Sequence, residues 1–229
     1  MRKVRDEGFT LIELLVAITI GLVVMAGVSM TFRSQQASYL IQEQVAGMQQ
    51  NLRAAMYHME REIRMAGCDP SFNADAKIIT ANADSVNFTM DIRGAGDPSP
   101  PDGDTDDPSE DITYIHYDSD GDGVNDALGR NTGGGVELIA ANIDAVDFLY
   151  YDGQAPSVAM NAAGGSVLEL SIPNIRAIEI TLVARTARPI KGYTDTSAYF
   201  NQLPRQILGP QNDNFRRILL TTRIKGRNL

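Results

Sequence analysis

The chain has little of the two residue types that most often carry chemistry in small proteins: one cysteine and two histidines in 229 residues. Cys68 cannot close an intrachain disulfide, so cysteine usage leaves the redox compartment open. A zinc centre built from His and Cys is not supported. Positive charge is also scarce. Twenty Lys and Arg face 29 Asp and Glu, a formal net charge of −9, which argues against nucleic acid as the main partner because phosphates want a basic surface. The shortage is uneven. Arg93 is the only Lys or Arg between Asp91 and Asp126, whereas the stretch from Arg216 to Arg227 carries no acid. No GxSxG, HExxH or P-loop pattern occurs. Cys68 lacks a nearby His or cation that would activate a thiol. His58 reads as an exposed helical residue and His116 as a strand residue flanked by tyrosines. The sequence therefore reads as a protein that is not an enzyme. Its basic tail could touch DNA or anionic lipid, but if it forms a central strand its arginines are expected to meet the domain's own carboxylates.

Proline is missing until Pro70, so nothing forces a kink in a helix before that point. From Phe9 to Phe32 the segment is apolar with one formal charge, Glu13. As a helix it would span roughly 36 Å, enough for a hydrocarbon core of about 30 Å. Arg2, Lys3 and Arg5 precede it and favour a cytoplasmic amino end. A cleaved secretory signal is the alternative, but its apolar region would be shorter and end in small residues. Glu13 is the anomaly. A carboxylate at membrane depth needs a partner, and no Lys or Arg lies within helical reach on its C-terminal side. It either stays wet near the headgroups or pairs with another chain or a newly made amino terminus.

The residues Gly8, Phe9 and Glu13 within GFTLIE resemble the prepilin signature of type IV pilins and type II secretion pseudopilins. The resemblance implies cleavage by a prepilin peptidase between Gly8 and Phe9, with methylation of the new Phe9 amine. It also implies that Glu13 sets subunit register by pairing with a neighbouring subunit's Phe9 ammonium. Asp6 and Glu7 depart from the family pattern, in which basic residues are common there.

Past Phe32 the helical pattern continues. Ile41, Val45, Met48, Leu52, Ala55, Met56, Met59, Ile63 and Ala66 form one apolar stripe on a polar helix. Gly67 and Pro70 supply the stop. The stripe is wider than a coiled-coil seam and lacks regular flanking charge pairs. Beyond Pro70 the apolar period shortens to two, predicting strands at Lys77–Thr80, Ser85–Ile92, Ile112–Tyr117, Val136–Ala140, Ala145–Tyr151, Ser166–Ile172, Ile175–Ala187 and Arg216–Ile224. The expected fold class is α+β and pilin-like: a long N-terminal helix packed on an antiparallel sheet with one wet face. The expected divisions are a leader (1–8), a membrane and assembly helix (9–32), its amphipathic continuation (33–67) and a β-rich domain (68–229), with Asp-rich loops at 94–111 and 118–130.

The stretch DSDGDGVND places Asp118, Asp120, Asp122, the Val124 carbonyl and Asp126 at EF-hand ligand spacing, with Gly123 at the sharp turn. Such hard oxygens suit Ca²⁺. Gly129 stands where the bidentate glutamate belongs. The acidic run Asp102, Asp104, Asp106, Asp107, Glu110 and Asp111 either supplies a missing ligand or is a solvated loop.

The segments MEREIRMAGCDP, AVDFLYYDG and RRILLTTRIKGRNL are similar to those of PilW-type minor pilins, relatives of the type II secretion J pseudopilin. The resemblance implies a non-catalytic minor pilin that primes type IV pilus assembly from the bacterial inner membrane, single-pass with its C-terminal domain in the periplasm. Its partners would be other minor and major pilins and the prepilin peptidase, with no nucleic acid. A J-like pseudopilin and a calcium-dependent tip adhesin are the alternatives.

Overall fold

Helix α1 spans Leu11–Ile63 as one 53-residue element. The computed structural model describes residues 10–94, 99–154 and 158–229. The chain divides into two compact units, one ending at Gln44 and the other running Val45–Leu229, and α1 contributes to both.

In the first unit the apolar side chains from Leu11 to Phe32 are exposed on all sides of the helix. A helix without a polar face needs an apolar environment or apolar neighbours all round. Its hydroxyls do not disturb that character. Thr19, Ser29 and Thr31 each donate to the carbonyl four residues back, those of Leu15, Met25 and Gly27, and so satisfy themselves within the helix.

In the second unit, α1 turns one face inward. Met48, Leu52, Ala55, Met56, Met59 and Ile63 are buried, and Ala66 follows them into the core. These positions advance in steps of three and four, the repeat that keeps one face of a helix in register. They pack with Val86, Phe88, Tyr114, Phe148, Ile178 and Leu182 in a single apolar cluster. Truncating Leu52 to alanine there would cost about 2–5 kcal/mol. The helix ends through tightened bonds, Met65 N–H to Glu62 O and Ala66 N–H to Ile63 O. Gly67 then adopts φ +74°, a left-handed conformation that favours glycine. Its N–H donates to Thr89 O, and Asp91 N–H donates to Cys68 O, stitching the helix exit to the sheet.

The strands are β1 (Ile78–Ala81), β2 (Ser85–Thr89), β3 (Asp111–Tyr117), β4 (Ala127–Asn131), β5 (Val136–Ala141), β6 (Ile143–Asp152), β7 (Ile175–Arg185), β8 (Tyr199–Phe200), β9 (Gln206–Leu208) and β10 (Arg217–Lys225). They form a five-stranded sheet in the order β1-β2-β3-β4-β5, a three-stranded sheet in the order β10-β7-β6 and a two-stranded β8-β9 ribbon. Every pairing is antiparallel. Fold class and strand direction agree with the sequence, but the single expected sheet is two main sheets and a ribbon.

Four local expectations are corrected. Ser166–Ile172 is not a strand: Glu169–Asn174 is a 3₁₀ turn containing Pro173, which has no N–H to give a ladder. Leu168 and Leu170 of that stretch are 77% and 95% exposed, so their alternation faces no core. All of strand β4 but its last residue lies inside the stretch expected as loop, 118–130. Its Gly129 hides it from propensity, yet glycine is required, because a Cβ there would lie 2.3 Å from Val136 Cγ1 and 2.7 Å from Tyr117. Strand β2 stops before Ile92 because Met90 N–H goes to Glu110 O, while Ile92 and Arg93 N–H both go to Glu110 Oε1. Finally, the expected wet face is covered on the three-stranded sheet. Asp147, Leu149, Tyr151, Glu179 and Thr181 are buried, with Asn201 donating to Asp147 at 2.8 Å and Arg205 pairing with the same carboxylate.

Candidate functional site

Gly8 and Phe9, the expected cleavage and methylation positions, lie outside the described residues. Thr10 and Glu13 do not. Thr10 sits immediately before the first helical residue, and its N–H and Oγ1 each donate to Glu13 Oε2 at 2.9 Å. Glu13 N–H lies 3.3 Å from Thr10 Oγ1. This reciprocal exchange is a capping box, with threonine at the N-cap and glutamate three residues on. Glu13 therefore has a local, uncharged partner that a search for cations does not find. The signal was present: Thr-x-x-Glu ahead of an apolar run is a helix-start signature. Both of its bonds use Oε2. Among the described residues no donor meets Oε1.

The Asp118–Asp126 loop closes the β3–β4 hairpin, in which Tyr117 pairs with Ala127. Glycines at 121 and 123 take φ of +82° and +90°, letting the chain curl around its own acids. Asp118 Oδ1 accepts from Gly121 N–H at 2.7 Å and Oδ2 accepts from Gly123 N–H at 2.7 Å. These amides, Gly123 first, hold the Asp118 carboxyl below the usual aspartate range. Asp122 Oδ1 accepts from Val124 N–H at 2.8 Å. Carboxylate oxygens of Asp118, Asp120 and Asp122 lie within 4.8 Å of one another. Asp126 is engaged elsewhere: its Oδ1 accepts from Ser119 N–H at 3.1 Å and Ser119 Oγ–H at 2.7 Å, and its Oδ2 lies 4.0 Å from Arg185. Gly129, at the twelfth position, is inside β4, where the tight contacts above leave no room for a ligand side chain.

A second acidic group stands in the loop before β3. Carboxylate oxygens of Asp102, Asp104 and Asp107 also lie within 4.8 Å of one another. Asp106 is pushed above the usual range by its bond to Asp104 and that residue's charge, and Asp107 by burial and then by Asp102 and Glu110.

The residues weighed for catalysis have structural partners. His116 Nε2 lies 2.9 Å from Ile143 O, and burial pushes its pKa down. His58 Nδ1 lies 2.7 Å from Tyr114 Oη, which donates to Glu62 Oε2 at 2.6 Å. Arg130 grips Glu62 with both Nε and Nη2, at 3.0 and 3.1 Å. The Cys68 thiol is pushed up by burial and then by Asp91 and Asp69, away from the thiolate that reactive cysteines need. The basic tail turns inward at two positions. Arg217 reaches Asp144, Asp195 and Asp213, and Arg223 pairs with Glu179 at 2.8 Å while lying over the Tyr151 ring. No spacing rule connects these partners, and the sequence did not reveal them.

A long helix that begins apolar all round and ends amphipathic, followed by an antiparallel β domain, is the pilin fold. Comparison with known proteins agrees. Residues 3–29 match the prokaryotic N-terminal methylation motif. Among solved structures the chain is similar to a type IV-like pilin from Thermus thermophilus, at 14% identity and a TM-score of 0.50, over 79% of this chain and 95% of that one. No curated protein matches the sequence.

Proposed function

We propose that this chain is a minor pilin of PilW type, a non-catalytic subunit that primes type IV pilus assembly together with other minor and major pilins. One observation carries the reading. An α1 segment that matches the methylation motif presents apolar side chains on every side, interrupted by a single carboxylate whose Oε1 meets no donor among the described residues. Apolar packing against like helices supplies cohesion. A neighbour's Phe9 ammonium, made by cleavage after Gly8, is the natural partner for the remaining Glu13 oxygen, since two charges in a low-dielectric setting neutralise each other's burial cost. The precursor would sit in the inner membrane with its β domain in the periplasm before joining the fibre.

Calcium belongs to the same proposal. Asp118, Asp120 and Asp122 would supply carboxylate oxygens and Val124 its carbonyl, with water completing the shell. Asp126, expected as a further ligand, holds Ser119 through Oδ1 and would join through Oδ2 or a bridging water. Bound Ca²⁺ would offset most of the charge of three clustered acids and fix the hairpin tip as one surface of the domain.

The test is recovery of the chain with its partners. Full-length protein should co-purify with other pilin-like subunits and appear in sheared surface fibres, and Glu13→Ala should insert in the membrane yet fail to appear there. Normal piliation and normal recovery of Glu13→Ala would refute the pairing. Co-purification with secretion pseudopilins alone would replace the pilus reading with the J-like one.

A further inference from the structure

The five-stranded sheet ends in β1 on one side and β5 on the other, and both ends leave apolar side chains in the open. On β5, Val136 is 44% exposed and Leu138 56%, two residues apart and so on one face of the strand. Glu137 between them is exposed as well. Among the described residues no lysine or arginine pairs with it, because Arg130, its neighbour across the ladder, is already held by Glu62. Among the described residues, Val136 to Ala140 make backbone bonds only within the ladder to β4. Proteins usually blunt such an edge with lysine, proline or a covering segment; β5 carries Glu137 alone.

The other end is built differently. Val167 N–H donates to Ala81 O of β1, and the chain then enters the 3₁₀ turn Glu169–Asn174. Leu168 and Leu170 stand out into solvent there, and Ile79 of β1 is also exposed. Beside the turn lies a recess of about 370 Å³ with Ile78, Ile172 and Pro173 in its walls and Arg176 against it. Arg176 is exposed but held in place. Its Nη1 donates to Pro173 O and Ile175 O, both at 2.8 Å, and its stem lies so close to Gly153 that a Cβ there would come within 3.2 Å of Arg176 Cγ. Its Nε and Nη2 meet no acceptor among the described residues. A guanidinium fixed through one nitrogen offers the others to a carboxylate at little ordering cost.

The two ends are complementary. One presents two aliphatic side chains with a carboxylate between them; the other presents two leucines, an apolar recess and a fixed guanidinium. We propose that β5 of one copy docks against β1 and the 3₁₀ turn of a second copy, with Val136 and Leu138 on the Leu168 and Leu170 patch and Glu137 paired with Arg176. Two β5 edges facing each other would instead set Glu137 near Glu137, a like-charge contact that destabilises. Because each copy uses a different patch, the contact is heterologous, and one that does not close on itself adds copies in an open row. The inference rests on the fibre reading above, since an open-ended contact serves a chain that stacks, and it adds that this chain can follow itself in the stack.

The experiment uses the full-length chain in the membranes of the cells that make it. Cys68→Ser removes the native thiol, and a short bismaleimide is the probe. With Val136→Cys and Leu168→Cys in one chain, crosslinking should give a ladder of dimers, trimers and larger species, whereas either substitution alone should leave monomer. Glu137→Lys should cut the ladder about fivefold or more, and Arg176→Glu likewise. The two reversals together should restore it, which a misfolded domain would not do. A chain with both cysteines that stays monomeric overturns the proposal. So does a dimer from either single-cysteine chain in equal yield, or a ladder indifferent to both charge reversals. Recovery in sheared fibres separates this contact from the reading it rests on. A ladder in membranes from a chain absent from fibres supports the contact and refutes the fibre role; a monomeric chain present in fibres does the reverse.

Discussion

Arg217→Met should be among the most damaging surface-to-core charge deletions in this protein. Although it lies in a tail that reads as basic, the Arg217 side chain is 1% exposed. Its Nε lies 2.5 Å from Asp144 Oδ2, its Nη1 3.1 Å from Asp195 Oδ2 and 2.7 Å from Asp213 Oδ1, and its Nη2 2.7 Å from Asp213 Oδ2. Methionine fills much of the same volume but leaves Asp195, whose side chain is 0% exposed, without a cation, and leaves Asp144 with Arg185 alone at 3.4 Å. Removing one partner of a buried ion pair costs about 3–5 kcal/mol. At about 2–4 °C per kcal/mol for a domain of this size, melting should fall by roughly 6–20 °C. The dependence on pH has a definite sign. Asp213 is held low by its Arg217 bonds; Asp195 is low as well, burial pushing it up but the Ser197 amide, Arg217 and Tyr199 outweighing that. Folded pKa values below the unfolded ones stabilise above the ordinary range near 3.9, and the contribution is lost as pH falls through the folded values. Asp144 works the other way, because burial keeps it raised despite Arg217 and Arg185. The gap between wild type and Arg217→Met should therefore be full at pH 7 and shrink below about pH 4. Thermal unfolding followed by circular dichroism reads both effects. Exposed Arg216→Met is the control, expected within about 0.5 kcal/mol of wild type. Equal melting of the two variants would show that Arg217 is a surface charge after all.

Three further outcomes are expected. Tyr114→Phe removes the hydroxyl shared by Glu62 and His58 and should cost about 1–3 kcal/mol in urea unfolding. The phenol's pKa is raised by burial and then by Glu62, so this contribution is full below pH 10 and fades only above it; an unchanged midpoint would mean that the network is idle. Glu13→Gln keeps an acceptor for Thr10 while deleting the charge, and Thr10→Ala does the reverse. The first should insert but not enter fibres, whereas the second should enter them at a helix cost of about 0.5–2 kcal/mol, and the opposite pattern would make the capping box the essential part. Asp120→Ala should bind one calcium fewer than wild type in equilibrium dialysis, and undiminished binding would remove the metal from the Asp118 loop.

Much of the fold was legible because it rests on local rules. The unbroken α1 follows from the absence of proline before Pro70, and its buried face from the spacing of Met48, Leu52, Met59 and Ile63. Strands β6 and β7 were visible in their own composition. What stayed hidden depends on neighbours. Gly129 weakens β4 in any propensity scale, yet it is required by Val136 and Tyr117 across the sheet. The alternation through Leu168 and Leu170 is genuine, but both side chains are exposed, and after Val167 N–H bonds Ala81 O of β1 the chain turns into the 3₁₀ segment that contains Pro173. The Asp118 loop could be found because its acids, Asp118, Asp120, Asp122 and Asp126, lie close together in sequence. The Arg217 cluster could not, since Asp195 and Asp144 lie 22 and 73 residues away. Glu13 stands out by its charge, whereas Thr10, three residues off, shows only through the capping-box spacing.

If the amino end is an address and an assembly contact rather than a plain anchor, mass spectrometry of the chain recovered from sheared surface fibres should find Phe9 as its first residue, carrying one added methyl group, in a fraction that also contains other pilin-like subunits. A chain that still begins at Met1, or one confined to the membrane fraction while fibres assemble normally without it, would show that the segment is an anchor alone.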